Sequence, residues 1–188
     1  MSLFNYALFF VFIATCFACT RFPIVVQVDF CKSDYVFEAN ITSSKTSADN
    51  INYEYGFDVK TVFKGAAKNI PSTLVGDGYF MNCGPEKLRL NTAYVIFAKR
   101  GNDGALRFLF YINMRFVKST DFERMTTKYD CDCKINIVDY SDVSVQSVTT
   151  SKPSTSACVT PQGFCSRSGF CQKNSEGVCT WGNHGECY

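Results

Sequence analysis

The sequence predicts a mainly β protein: a five-stranded, OB-fold-like barrel with one short helix, followed by a small disulfide-rich C-terminal tail. Three observations support this prediction. Short β-branched and aromatic segments recur over the first two thirds of the chain, turn-forming residues separate them, and cysteines are concentrated after residue 157. Five strands within about 120 residues suit a small closed barrel.

Each predicted strand is a short run that alternates apolar and polar residues or is rich in β-branched and aromatic side chains. These runs cover residues 24–28, 35–39, 53–63, 93–98 and 106–112. Turn-forming residues separate them at positions 48–50, 64–65, 76–78 and 101–104. The last turn, Gly-Asn-Asp-Gly, lies between two apolar runs and therefore predicts a hairpin. Residues 119–128 are polar and periodic, which predicts the short helix.

Composition divides the chain into four stretches. Residues 1–18 are predicted to be a signal peptide, because an apolar run ends in small residues and is too short to span a bilayer comfortably. The first six residues contain no Lys or Arg, so the alternative is an uncleaved anchor. We predict the barrel domain over 19–138, a Ser/Thr/Val-rich linker over 139–157 and the cysteine-rich tail over 158–188.

The cysteine count indicates a secreted, extracellular protein. Signal peptidase requires small residues one and three positions before the cut, and Ala18 and Cys16 meet this need if cleavage precedes Cys19. The mature chain would keep ten of the 11 cysteines, and an even number in an oxidising compartment predicts a disulfide framework. The sequon that begins at Asn40 fits the same route and predicts glycosylation there.

Charge and residue types exclude several classes of function. A net charge of +2 without a run of Lys or Arg leaves no electrostatic footprint for nucleic acid. The chain has one histidine, His184, so a Cys–His or Ser–His enzyme would have to use a residue in the glycine-containing tail. A zinc site of its own would need cysteines alone, in a compartment that oxidises thiols. We therefore expect neither an enzyme nor a resident cofactor, and no membrane association after signal cleavage.

Several short motifs follow one another in a set order along the chain. They are Cys19-Thr20, FCKSDYV at 30–36, YEYGFDVKTVFKG at 53–65, Cys83-Gly84, Cys131-Asp132-Cys133 and GVCTW at 177–181. This ordered set resembles the tissue inhibitors of metalloproteinases, whose N-terminal part is a netrin-like domain with an OB fold. The resemblance covers residues 19–138 well and the tail loosely.

The resemblance implies that the chain inhibits extracellular zinc metalloproteases. A catalytic zinc keeps one coordination position open for water, which the metal activates as the nucleophile. In the family, the α-amine and carbonyl of the first cysteine displace that water. Here the chelating residue would be Cys19, so the zinc would belong to the protease and the chain would need no cofactor of its own. An α-amine has a pKa of about 8, so a neutral fraction exists at physiological pH.

The resemblance also implies which residues contact the protease. A disulfide from Cys19 to Cys83 would fix the amine and set Met81 and Asn82 beside it. Without such a bond, a mobile chain terminus would lose conformational entropy on binding, which weakens the affinity. Thr20 would point into the specificity pocket of the protease.

Two further disulfides follow from the same resemblance. Cys31 would pair with Cys131, with Cys133 as the competing partner. Cys133 would then be left to reach the tail at Cys179. From the sequence, the pairing of the tail as a whole stays open, because its five cysteines and Cys133 allow 15 connectivities.

Arg21 departs from the family pattern. The family usually has a second cysteine at this place, and its expected partner is also missing, because no cysteine lies between Cys83 and Cys131. The edge formed by Cys19, Thr20 and Arg21 would thus be held by one disulfide instead of two. We expect binding that is weaker or differently selective than is usual in the family.

Two other functions are compatible with the sequence. One is a netrin-like module that binds extracellular matrix or a receptor and inhibits nothing, and a retained residue before Cys19 would favour it. The other places the function in the tail, as a small toxin-like or sugar-binding knot.

Overall fold

The fold is described from a computed structural model, over residues 25–46, 52–76, 87–138, 154–185 and 187. The predicted signal peptide, the predicted turn at 48–50 and most of the predicted linker lie outside these ranges. No helix within them has both the length and the apolar character needed to cross a membrane.

Five strands close into a barrel, as the sequence predicts. Their spatial order is β1-β2-β3-β5-β4, and pairing between β4 and β1 completes the closure. The strands are β1 (Tyr35–Thr46), β2 (Tyr53–Lys64), β3 (Leu74–Gly76), β4 (Ala93–Arg100) and β5 (Leu106–Asn113). Neighbouring strands are antiparallel except β3 and β5, which are parallel.

Alternation along the strands fills the barrel interior. In β1, the side chains of Phe37, Ala39 and Ile41 are fully buried, and Phe37 lies opposite Ile96 in the antiparallel register with β4. Successive strand residues point to opposite faces, so the residues between them face outward. The other fully enclosed members of this interior cluster are Leu74, Ile96, Ala98 and Leu106.

The hairpin between β4 and β5 confirms the turn prediction at 101–104. The backbone N–H of Gly101 donates to the carbonyl of Ala105 at 2.8 Å. Asp103 accepts the N–H of Ala105 at 3.1 Å, and Gly104 has a φ of +81°, in the left-handed region that favours glycine.

The first predicted strand, 24–28, is wrong. Residues Val26–Lys32 form helix α1, although valine favours strands. Val26 and Phe30, four positions apart, lie on the same helical face and are 6% exposed. They pack with Val36 and Val95 on the outer face of the barrel, so tertiary packing outweighs the local preference.

The fifth strand is instead β3, which the sequence did not predict. Three residues are too few for a readable alternation. Leu74 and Val75 are buried, and Gly76, predicted as the start of a turn, is the last residue of the strand. A Cβ at Gly76 would lie 2.6 Å from Cε1 of Phe108, so the strand can only approach the interior this closely with glycine.

The prediction of a helix at 119–128 is confirmed, with a change of helical type. Helix α2 (Ser119–Glu123) continues as a π-helical turn over Arg124–Lys128. Met125 from this turn is buried against the same outer face as α1, together with Phe97 and Ile112. The barrel therefore has two apolar layers, one inside and one between its outer face and the helices.

The tail and residues 133–136, which precede the predicted linker, together form two small sheets joined by disulfides. Strand β6 (Lys134–Asn136) pairs in parallel with β7 (Ala157–Val159), and β8 (Gly169–Lys173) pairs antiparallel with β9 (Cys179–Asn183). Disulfides join Cys133 to Cys179, Cys158 to Cys171 and Cys165 to Cys187. The buried cluster of this region contains four of these half-cystines, with Ile135 and Trp181 packed against them.

The space around Gly76 gives a first prediction. Gly76→Ala should lower the free energy of unfolding by about 1–3 kcal/mol, because the new methyl group overlaps the ring of Phe108. Urea denaturation measures the change. Phe108→Leu made in the same chain should remove part of the overlap, so the double variant should lose less than the sum of the two single losses. Strict additivity would contradict the overlap.

A second prediction concerns Asp29 in α1. Burial raises the pKa of its carboxyl to about 6, although the charge of Lys32 acts to lower it. In the unfolded chain this carboxyl has a pKa of about 3.9, so the folded state binds the extra proton between these values. Stability should therefore fall as the pH rises from about 4 to 6 and stay reduced above it.

Asp29→Asn should abolish this loss of stability. It should raise the free energy of unfolding at pH 7 by about 1 kcal/mol, a value that allows for the solvent that still reaches the carboxyl. Urea unfolding at pH 4, 5, 6 and 7 measures it. Asp58→Asn, on an exposed part of β2, is the control. A gain for Asp29→Asn that is independent of pH would contradict the expectation.

Candidate functional site

The predicted protease-binding residues lie outside the described residues. These are Cys19, Thr20, Arg21, Met81 and Asn82, together with the predicted Cys19–Cys83 disulfide. The structure does describe the framework from which both segments emerge. That framework comprises helix α1, which begins seven positions after Cys19, and the two chain positions that flank residues 77–86.

The start of α1 is fixed by the tail. Val25, the residue before the helix, is fully buried, and its carbonyl accepts the N–H of Val28 at 2.8 Å. No side chain caps this end of the helix. Instead, the N–H of Val26 donates to the carbonyl of Ser166 in the tail, at 3.1 Å. One of the N–H groups that a helix N-terminus leaves without an intrahelical partner is thus satisfied from a distant part of the chain.

The end of α1 is fixed by a disulfide and a lysine. Cys31 is bonded to Cys131, with a Cα–Cα distance of 5.3 Å. This is one of the pairs that the resemblance implies. The ammonium group of Lys64 donates to the carbonyls of Phe30 at 2.8 Å and Cys31 at 3.1 Å. A cation at this end also complements the helix dipole. Burial lowers the pKa of Lys64, and the charge of Asp34 acts in the opposite direction.

These contacts explain the Phe-Lys-Gly motif that ends β2. Lys64 caps α1, and Gly65 follows with a φ of +91°. A Cβ at Gly65 would lie 2.6 Å from the ring of Tyr35 and 2.8 Å from the carbonyl of Asp34. The motif therefore ends β2 in a close turn against β1, and its lysine side chain holds the C-terminal end of α1.

The segment that carries Met81 and Asn82 is anchored at both ends on strand β2. Before the segment, Gly76 lies opposite Tyr53. After it, the N–H of Leu88 donates to the phenol oxygen of Tyr55 at 3.0 Å, and Leu88 is 1% exposed. Burial raises the pKa of Tyr55, although the hydrogen bond from Leu88 partly opposes this, so the phenol stays neutral at physiological pH.

Gln27 is a buried polar residue that sequence reasoning missed. Its amide nitrogen donates to the carbonyl of Asp130 at 2.9 Å and to that of Cys171 at 2.7 Å. Its amide oxygen accepts the N–H of Cys171, also at 2.7 Å. The available sequence signal was weak: one polar residue within the apolar run 24–28, which alternation explains equally well as an outward-facing strand position.

A buried ion cluster joins α2 to the tail. The carboxylate of Asp121 binds the guanidinium groups of Arg124, which is fully buried, and Arg167. Burial acts to raise the pKa of Asp121, but the hydrogen bonds from Arg167 and Lys118 and the two guanidinium charges hold it below its usual range. Burial also raises the pKa of Tyr129 to about 12, against the charge and hydrogen bond of Arg124.

His184 belongs to the same junction. Its ring Nε2 lies 2.7 Å from a carboxylate oxygen of Glu123, and its carbonyl accepts a hydrogen bond from Arg124. The residue is thus part of a contact between the tail and the helical segment.

Over the described residues, one group of three potential metal ligands lies close together. The sulfurs of Cys133, Cys171 and Cys179 are within 4.8 Å of one another. All three are in disulfides, so none is free as a thiolate ligand.

The sequon lies on the barrel wall. Asn40 is half-buried on β1, between Asp58 and Ala93 of the neighbouring strands, and Thr42 is exposed. Residues that alternate with the buried Ala39 and Ile41 face outward. Glycosylation of Asn40 stays a prediction.

Comparison with known proteins agrees with this arrangement. The sequence model of the family described as tissue inhibitor of metalloproteinase matches residues 17–181, which include the barrel, both helical segments and most of the tail. No match is found among curated proteins. Members of the family are secreted inhibitors and not enzymes, so the match indicates metalloproteinase inhibition. This chain belongs to the tissue inhibitor of metalloproteinase family.

Proposed function

We propose that the chain inhibits zinc metalloproteases by chelating their catalytic zinc through the free amine and carbonyl of Cys19. The observation that supports this most is the family match, which begins at residue 17 and therefore includes the Cys19-Thr20 start. The proposal requires signal cleavage immediately before Cys19, since only cleavage can expose that amine.

The chemistry of inhibition is ligand replacement. A protease zinc with three protein ligands holds its nucleophilic water in the remaining position. The neutral amine of Cys19 would take that position, and the adjacent carbonyl oxygen would close a five-membered chelate ring. Zinc binding favours the deprotonated amine, because a metal competes with the proton for the same lone pair. The zinc is the protease's own, and the inhibitor contributes no cofactor.

The framework around the proposed contact residues supports this function. Val25 is buried and hydrogen-bonded, so the chain leaves toward Cys19 from a fixed point. The segment with Met81 and Asn82 leaves and re-enters at anchored residues beside β2. Anchoring lowers the entropy that is lost when these segments become ordered on a protease. We propose that a Cys19–Cys83 disulfide completes the arrangement and that Thr20 enters the specificity pocket.

Arg21 gives this member a distinct inhibitory edge. With one proposed disulfide near the terminus, the ordering of Cys19–Arg21 depends more on contacts further along the chain. We propose weaker or differently selective binding as the consequence.

We place the protein in the extracellular space, with glycan at Asn40 and with matrix as a second possible contact. The domain limits 19–138, 139–157 and 158–188 stay predictions. The alternative function, a netrin-like binding module without inhibition, shares the same barrel. It differs in needing no free amine at Cys19.

The amine itself gives the third prediction. A form that retains Ala18 before Cys19 should lose inhibition of a zinc metalloprotease catalytic domain by on the order of 100-fold or more, because the nitrogen becomes an amide and no longer binds zinc. The inhibition constant, Ki, measures this against the correctly processed chain, whose start is established by mass spectrometry.

A form extended at the C-terminus by one alanine is the control and should inhibit like the unaltered chain. Equal inhibition by the Ala18-retaining and processed forms would contradict chelation. Absence of inhibition by every form would favour the binding-module alternative.

The proposed Cys19–Cys83 disulfide gives the fourth prediction. Cys19→Ser combined with Cys83→Ser keeps the amine and carbonyl but removes the proposed disulfide. We expect Ki to rise by about 10- to 100-fold, mainly through faster dissociation, because the terminus must then be ordered on binding. Surface plasmon resonance on an immobilised protease domain separates the two rates. An unchanged dissociation rate would show that the disulfide does not position the amine.

A further inference from the structure

Gln27 joins two parts of the chain that are far apart in sequence. Its side-chain amide, 1% exposed, is bonded to Asp130, 103 positions away, and to Cys171, 144 positions away. Both N–H bonds of the amide nitrogen have a carbonyl acceptor, and the amide oxygen has a backbone donor. A buried amide with this complete a set of partners is specific for one arrangement of the groups around it.

The contact with Cys171 has the form of strand pairing. The Gln27 amide both donates to the carbonyl and accepts from the N–H of the same residue, as a backbone neighbour would do at this edge of β8. Cys171 is fully buried and bonded to Cys158, so it offers a rigid attachment point. The side chain of Gln27 thus attaches the first turn of α1 directly to the disulfide-bonded tail.

The tail makes a second contact with α1, at Val26, the residue before Gln27. The carbonyl of Ser166, in the same tail, accepts the N–H of Val26. The tail therefore holds two consecutive residues of α1 through two separated points of its own backbone. At the other end of the helix, the Cys31–Cys131 disulfide attaches α1 to the segment that follows the π-helical turn, and Lys64 attaches it to barrel strand β2.

We propose that Gln27 is a positioning residue through which the cysteine-rich tail fixes α1 and thereby the direction in which the chain runs toward Cys19. The inference rests on the proposed function of Cys19. Val25 lies six positions after Cys19, and an extended chain over that distance spans up to about 20 Å. A small rotation of the first turn of α1 would therefore displace the amine by a distance that is large compared with a zinc–nitrogen bond of about 2 Å.

Removal of the amide should release this coupling. Gln27→Met keeps a similar side-chain volume but cannot make the three hydrogen bonds, and it leaves the carbonyls of Asp130 and Cys171 and the N–H of Cys171 without that partner. We expect Ki against a zinc metalloprotease catalytic domain to rise by about tenfold. We also expect faster amide hydrogen exchange in residues 25–32 and 166–173 of the free, full-length secreted chain.

The control separates positioning from a general loss of stability. Ile96 is fully buried in the barrel interior, in a cluster whose described members include no residue of α1 or the tail. Of Ile96→Val and Ile96→Ala, the variant whose melting temperature is closer to that of Gln27→Met is the stability-matched comparison. It should leave Ki and the exchange rates of residues 25–32 near those of the unaltered chain.

Gln27→Asn is the second variant, for the case that Gln27→Met is not secreted. It keeps an amide but is one methylene shorter, so it cannot reach Asp130 and Cys171 together, and it should give smaller changes in the same directions. If the loss of inhibition in the Gln27 variants equals that in the matched Ile96 variant, the proposal is wrong. If exchange in residues 25–32 is no faster than in that control, it is also wrong. Absence of inhibition by the unaltered chain would instead contradict the proposed function, while hydrogen exchange still decides whether the tail is coupled to α1.

Discussion

The attachment of helix α1 at both ends is the constraint on which the rest of the structure depends. Its first turn is bonded to the tail through Val26 and Gln27. Its last turn is bonded to Cys131 through Cys31 and to barrel strand β2 through Lys64. Between these ends, Phe30 packs on the outer face of the barrel. A seven-residue helix is too short to be stable alone, so tertiary contacts determine that it forms and where it lies.

The barrel and the tail are stabilised by different means. The barrel closes around large apolar side chains, and burial of that surface is its main source of stability. The tail has too few residues for such a core, and half-cystines occupy most of its buried cluster. Its contacts with the helical segments are polar or ionic, through Gln27, Arg167 and His184. Such contacts require defined geometry, so the tail is held in one orientation against α1 and α2.

Sequence reasoning succeeded where local patterns decide the structure. Alternation identified β1, β2, β4 and β5, and the Gly-Asn-Asp-Gly turn identified their last hairpin, because both signals are contained within a few residues. It failed for α1, whose valines favour a strand until Val26 and Phe30 meet the barrel, and for β3, which is too short to show a period. The partners of Gln27 lie more than 100 positions away, and a sequence alone does not show such contacts. For the candidate site, the motifs identified the family and the cysteine pairs at 31–131 and 133–179, while the contact residues at 19–21 and 81–82 lie outside the described structure.

The Cys131-Asp132-Cys133 triplet has a consequence for the integrity of the molecule. One half-cystine is bonded back to α1 and the other forward to β9, with a single residue between them. A protease that cuts the backbone once between Val138 and Ser154 would therefore produce two fragments that remain covalently joined. Such a nicked molecule would run as a single species on a gel until a reducing agent is added. Without reduction, the break would still show as an increase in intact mass by the one water taken up in hydrolysis.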